Sequence, residues 1–188
     1  MTERAIPMMR DDLFDGSDEA SRLFRTIDWG RSPLGPVESW PTSLRTMVRV
    51  VLQSRFPMAL FWGRELISFY NEAYRPILGA KHPAAAGAPF AETWAEIWHI
   101  VGPQAQDILE GKPATWNQHL LLPMNRNGYL EETYFTFSYS PVPDDSGAVG
   151  GLLNTCQAPT SGRRLARVSA AAAVPWAAVS GHEPGGAR

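Results

Sequence analysis

Apolar positions change rhythm along this chain. From Pro41 to Ser54, the residues Leu44, Met47, Val48, Val51 and Leu52 recur at three- and four-residue intervals, with Arg45, Arg49 and Gln53 between them. At 3.6 residues per turn the two sets fall on opposite sides of a helix, so the spacing predicts a helix over 41–54. Pro41 suits a first helical turn, where its missing N–H is no loss, and Ser39 is placed to cap it. "FPMALFWG" and "LISFYN", joined by "GRE", are short aromatic and aliphatic runs that predict a hairpin. "NEAYRPILG" reads as a short helix stopped at Gly79, and "AKHPAAAGAP" as a loop or a single broken turn. Helical spacing returns at Trp94, Ile97, Trp98 and Val101, then Ile108 and Leu109, interrupted by Gly102-Pro103. One helix, or two kinked at the proline, is expected there, ending at Gly111.

The last third switches to a period of two. "ATWNQHLLLPM" runs into "NRNG", whose Asn127-Gly128 is a hairpin signal. "YLEETYFTFSYSPV" then alternates, with Thr133, Phe135, Phe137 and Tyr139 on one face and Tyr134, Thr136, Ser138 and Ser140 on the other. "PDDSG" turns again and "AVGGLLNTC" is the final strand, where the glycines imply a close approach to a neighbour. Two strands, a helical middle and three hairpin-joined strands make an α+β domain, with helices expected on one face of an antiparallel sheet.

Before the helix, "SRLFRTIDWGRSPLGPVESWP" mixes turn formers with anchors such as Phe24, Trp29 and Trp40, and is expected to be irregular but pinned by its aromatics. Residues 1–21 are polar, acidic and aperiodic, and are expected to form a disordered lead. They carry no apolar h-region, so no signal peptide is read in them, and "SAAAAVPWAAV" is too short to span a bilayer. The expected location is cytoplasmic. The 188 residues fit one ordinary domain with flanking segments, and 44% hydrophobic residues supply a core. A net charge of −2 gives no basic field for nucleic acid, and the one cysteine, Cys156, leaves no internal disulfide.

Little of the sequence looks catalytic. Cys156 has no neighbour that marks a reactive thiolate, and there is no GxSxG elbow or phosphate-binding glycine loop. His82, His99 and His119 lie in separate elements and His182 in the tail, with no metal-ligand spacing, so no metal site is expected. Glu131-Glu132 point to opposite faces of a strand, Asp144-Asp145 sit in a turn, and Glu92 with Glu96 begin a helix; all three pairs read as structural. The aromatic residues remain. Phe61, Trp62, Phe69, Tyr70, Tyr74, Trp94, Trp98, Trp116, Phe135, Phe137 and Tyr139 are expected to converge between sheet and helices. Convergence gives either a plain core or a cavity for a small ligand, with Asn71, His119, Tyr70 and Tyr139 as polar handles. Periodicity does not separate the two.

Three long segments carry a family resemblance: "DWGRSPLGPVESWPTSLRTMV", "SRFPMALFWGRELISFYNEAYRPILGAKHPAAAGAPFAETWAEIW" and "MNRNGYLEETYFTFSYSPVPDDSGAVGG". They resemble the amino-terminal PAS domain of bacterial sensor histidine kinases, where it commonly precedes a GAF domain and a kinase module. The resemblance covers roughly 22–155 and implies a PAS fold: five antiparallel strands flanked by short helices, the last three strands at 114–124, 129–141 and 148–156. It implies a sensor domain over 22–157 that binds a small molecule or a partner and relays strain through its last strand, without catalysis. No helix-borne "NCRFLQ" cysteine for flavin chemistry and no histidine at a convincing haem position accompany it, so the cofactor is left open. The expected partners are a small ligand, a second copy, and a kinase or GAF domain of the parent protein. Two alternatives stay beside this one: a ligand-free dimerisation module, and a small enzyme using His119 or Tyr139 for proton transfer. After "LNTCQ", residues 158–188 become rich in Ala, Pro and Gly, which is expected to be an irregular tail left by a truncated or frame-shifted gene.

Overall fold

Residues 13–157 are described by the computed structural model; the tail expected after residue 157 and the first twelve residues of the lead lie outside them. Five helices and five strands alternate much as the spacing implies: α1 (Glu19–Thr26), α2 (Thr42–Gln53), β1 (Met58–Trp62), β2 (Ile67–Tyr70), α3 (Arg75–Leu78), α4 (Phe90–Thr93), α5 (Trp98–Leu109), β3 (Asn117–Asn125), β4 (Leu130–Pro143) and β5 (Val149–Cys156). The strands form one antiparallel sheet in the order β2-β1-β5-β4-β3. β5 lies in its centre. It pairs on one side with β4, its hairpin partner, and on the other with β1, which closes the sheet across nearly the whole chain.

The register sorts residues into two faces. On one, Ala59, Phe61, Ser68 and Tyr70 line up with Leu152, Asn154 and Cys156, then with Tyr139 and Phe137. The burial of β4 follows the expected alternation, with Thr133, Phe135, Phe137 and Tyr139 buried and their neighbours less so. This inner face meets α4 and α5. Phe61 stacks on Phe90 with centroids 3.8 Å apart, and Val101, Gly102, Ala105 and Ile108 are the buried positions of α5. Gly150 and Gly151 allow the close approach in the centre of the sheet: a Cβ on Gly151 would meet the Phe61 carbonyl at 2.4 Å.

Helices were expected on one face only, and the chain covers both faces of β1 and β2. Leu60 and Phe69, paired in register, point away from α5. There Phe69 packs against Trp29 at 5.1 Å and Trp40 at 5.5 Å, both from the segment between α1 and α2. The order also begins earlier than expected. Leu13 and Phe14, inside the expected lead, are 5% exposed, because Phe14 lies against Phe24, Trp29 and Trp40. An acidic stretch with two apolar residues looks solvated until these partners are known.

Both early helices take caps that local spacing does not show. Asp18 caps α1 by accepting from Ser21 N at 2.9 Å, and Glu72 accepts from Ala20 N at 3.1 Å. At α2 the expected cap from Ser39 is not made, since its hydroxyl donates to the Pro36 carbonyl. Asp145, from the β4–β5 turn, accepts instead from Thr42 N at 2.9 Å and Ser43 N at 2.8 Å. The kink expected at Gly102-Pro103 is also displaced. α5 runs through Pro103, and the break falls at Trp94 (φ −121°, ψ 37°). So near the start of α5, the proline forgoes only one helical hydrogen bond, and Gly102 leaves room for the Trp98 ring. β3 starts at Asn117 rather than 114, although Thr115 already donates to the Tyr139 carbonyl.

Candidate functional site

Between the inner sheet face and the helices lies a cavity built from all the middle elements. Asn71 starts it. Its Oδ1 accepts from Tyr74 N at 3.0 Å and so fixes the turn Glu72–Tyr74 that aims Tyr74 inwards. Ile77 follows from α3 and Phe90 from α4. The break at Trp94 turns the indole into the wall, with Lys81 5.1 Å from its ring centroid on the other side. Ile97 and Val101 close that side, and Leu122, Met124, Phe135, Phe137, Tyr139, Asn154 and Cys156 form the sheet side. Phe90 meets the edge of Tyr139 at 5.9 Å and of Trp98 at 5.3 Å, so the aromatic wall is locked by edge-to-face contacts.

The space between these side chains and its mouth totals about 340 Å³, yet only about 30 Å³ of it is wide enough to seat the centre of a water molecule. The cavity is therefore a slot. It has room for a few waters as it stands, at about 10–15 Å³ each, and a larger guest must move a wall. Its chemistry is mixed. Tyr74, Tyr139 and Asn154 are 6%, 4% and 3% exposed, and among the described residues none of their side-chain polar atoms has a hydrogen-bond partner. Burial holds both tyrosine hydroxyls well above the ordinary phenol range, so they stay protonated donors. Burial likewise pushes the Cys156 thiol up to about 12, leaving it neutral and a poor nucleophile. No Asp, Glu, Lys, Arg or His lines the slot.

Of the residues named from sequence, Tyr74, Trp94, Phe135, Phe137 and Tyr139 line the slot. Phe61 and Trp98 stand behind it, both against Phe90. Three proposed handles lie elsewhere. Asn71 is a backbone clip: besides Tyr74 N it accepts from Met58 N at 3.2 Å and donates to the Ser54 and Phe56 carbonyls at 2.9 and 2.6 Å. Tyr70 points to the sheet edge, where its hydroxyl is hydrogen-bonded to His82 Nδ1 at 2.7 Å. His82 Nε2 meets Glu19 at 3.1 Å, and Glu19 pairs with Arg75 at 2.9 Å, so this chain of groups fastens α1 to β2. His119 sits on the irregular start of β3, exposed, with φ at +50°, and does not share a cavity with Tyr139. Trp116, expected inside, is 68% exposed. Asn154 and Cys156 were not singled out as lining. A period-two reading of "LLNTC" puts them on the parity of Leu152, and a polar residue at a buried parity is the signal.

Each acidic pair has a carboxylate tied into the frame. Glu131 receives Arg126 at 3.0 Å, Glu96 receives Lys81 and Asn125 N, and Asp144 ties its own turn through Ser146 and Ala148. Among the described residues, no group of three His, Cys, Asp or Glu side chains could hold a metal ion, and no helix is long and apolar enough to cross a membrane.

The central β5, the hairpins around it and the flanking helices make up the five-stranded antiparallel arrangement that the resemblance implied. The fold is α+β, one five-stranded antiparallel sheet with flanking helices. No family model matches the chain, and no curated protein matches it. Among solved structures it is similar to the phage VqmA–DPO complex, at 20% identity over 61% of this chain and 51% of the other, with a TM-score of 0.47. It is similar to an RNA-binding light-oxygen-voltage receptor at 18% identity, over 65% of this chain and 34% of that one, with a TM-score of 0.46. A sensory box sensor histidine kinase from Vibrio cholerae shares 12% identity over 63% and 90% of the two chains, with a TM-score of 0.43. The chain spans about half and about a third of the length of the first two.

Proposed function

We propose that this PAS-like domain is the sensor module of a two-component signalling protein, taking a small molecule into the slot and relaying its presence through β5, without catalysis of its own. The observation that carries the reading is the meeting of unpaired polar groups with the exit strand. Asn154 and Cys156 belong to β5 and line the slot, and the described chain leaves the sheet one residue later at Gln157. Tyr74, Tyr139 and Asn154 turn polar atoms without a protein partner to the slot, where water or a guest can meet them. Three such groups around one cavity suit a binding site better than a closed core. The sequence resemblance supplies the output, a GAF or kinase module.

Native mass spectrometry of the chain purified from its host tests the reading. A retained small molecule, lost in Asn154→Leu, is the expected result; a bare mass for both, with no change in β5 hydrogen exchange on adding cell extract, refutes it. Incubation with labelled ATP is expected to leave the chain unlabelled.

A second reading has an observation of its own. Leu121 and Tyr134, paired in register on the outer face of β3 and β4, are 39% and 42% exposed, and Trp116 just before β3 is 68% exposed, apolar side chains suited to a second copy. Light scattering decides it: a dimer that Trp116→Ser converts to a monomer supports an interaction module.

A further inference from the structure

We infer that the slot selects an uncharged, flat, ring-sized molecule carrying an acceptor and a donor, such as a primary or cyclic amide, held by Tyr74, Tyr139 and Asn154. The inference rests on the sensor reading above and narrows its ligand.

Charge decides the first part. A carboxylate or ammonium entering the slot sheds its water and finds no opposite charge, because none of the lining residues is ionisable to a charged form near neutral pH. The cation behind the wall, Lys81, is already committed: its Nζ donates to the Thr93 carbonyl at 2.7 Å and pairs with Glu96 at 3.1 Å. Hydrogen bonding decides the second. Two protonated phenols each have a hydrogen to give, and the Asn154 amide both gives and accepts. An apolar guest would leave all three unsatisfied. A guest with a carbonyl beside an N–H matches them.

Shape decides the third. The free width is small, so a thin guest displaces less of the lining than a bulky one, and Ile97, Val101 and Leu122 in that lining offer only apolar contact. A fused tricycle would displace more of the lining, in which Phe90 is held by its stack on Phe61. A single ring requires less, and Met124, unbranched and adaptable, is the wall best able to give.

The test uses benzamide as probe, with benzoate and benzylammonium as charged isosteres and toluene as the ring without handles. Binding to the full 188-residue chain at pH 7 is followed by the side-chain amide resonances of Asn154 and by thermal shift. Benzamide is expected to bind, and Asn154→Leu and Tyr139→Phe, both close in volume to the original, are expected each to weaken it about three- to tenfold. Benzoate or benzylammonium binding as tightly as benzamide overturns the charge assignment and leaves the sensor reading intact. Toluene binding more tightly than benzamide overturns the assigned handles. Silence of all four probes at millimolar concentration, with the Asn154 resonances visible and unmoved, overturns this inference, whereas the sensor reading falls only to the bare native mass described above.

Discussion

Replacing Asn71 by leucine separates a structural clip from a ligand handle. The side chain is 0% exposed and all four of its hydrogen bonds go to backbone: Met58 N, Tyr74 N, and the Ser54 and Phe56 carbonyls. Leucine keeps the volume and deletes every one. The losses are unequal. Tyr74 N retains the Asn71 carbonyl at 3.0 Å, and the Phe56 carbonyl lies beside a side chain that is 65% exposed, so water can reach it. Met58 N loses the partner that holds the first residue of β1. At about 0.5–1.5 kcal/mol per bond, with partial rescue of two groups, the expected destabilisation is about 2–4 kcal/mol. A domain of this size loses about 2–4 °C per kcal/mol, which places the fall in melting temperature at about 4–16 °C. Differential scanning calorimetry and urea titration measure it, with an unchanged m-value expected. Asn71→Asp keeps the acceptor but sets a carboxylate against two carbonyl oxygens. Its pKa is raised in the folded state, so its stability should recover as pH falls and worsen as pH rises. A melting temperature within about 2 °C of wild type for Asn71→Leu, coupled with loss of a retained ligand, refutes the clip and restores the handle.

Other substitutions read other parts of the frame. Gly79→Ala forces a Cβ to within 2.5 Å of the Arg126 carbonyl at a backbone φ of +57°; calorimetry should show a loss of at least about 2 kcal/mol. Asp145→Ala removes the remote cap of α2 and should lower the melting temperature. The Asp145 carboxyl is held below its usual range by its bonds to Ser43 and Thr42, so its contribution is present above the unfolded value near about pH 4 and is lost as pH falls further. The gap between variant and wild type should therefore close in acid, and a gap that widens there refutes the cap. With its thiol at about 12, Cys156 should alkylate at pH 8 on the order of a thousandfold more slowly in the folded chain than in urea.

The sequence showed what is local and missed what is made across distance. Alternation in "TYFTFSY" told which side of β4 would be buried because a strand has only two faces, and Asn127-Gly128 told where it turned, with Gly128 at φ +80°. The 41–54 helix was legible for a similar reason, one clear stripe. Its cap was not, because Asp145 stands 103 residues away, nor was the start of α1, whose second acidic partner Glu72 stands 52 residues away. The site divides the same way. Aromatic residues at buried parity could be named, but the direction of a polar residue next to them could not: Asn71 and Tyr70 flank the same run and serve a loop and an edge. His119 was drawn inwards by its strand, and the irregular register between Asn117 and Leu120 turns it out.

On the proposed sensor reading, the sheet itself offers the route by which the slot would be read out. Asn154 pairs in register with Ala59 of β1 and with Tyr139 of β4, so the polar end of the cavity is formed by the centre of the sheet and not by a loop. A guest that engages Tyr139 and Asn154 bears on β4 and β5 together. The last paired group of the described chain, Gln157 N, donates to the Thr136 carbonyl at 2.9 Å, three residues from each of those side chains. The opposite end of the same hairpin carries Asp145, which holds the N-terminus of α2. On that proposal, strain at the slot has two ways out along one hairpin: forward to residue 157 and back to α2. Packed interiors deform poorly, so a shift between these strands reaches both ends instead of dissipating in the core.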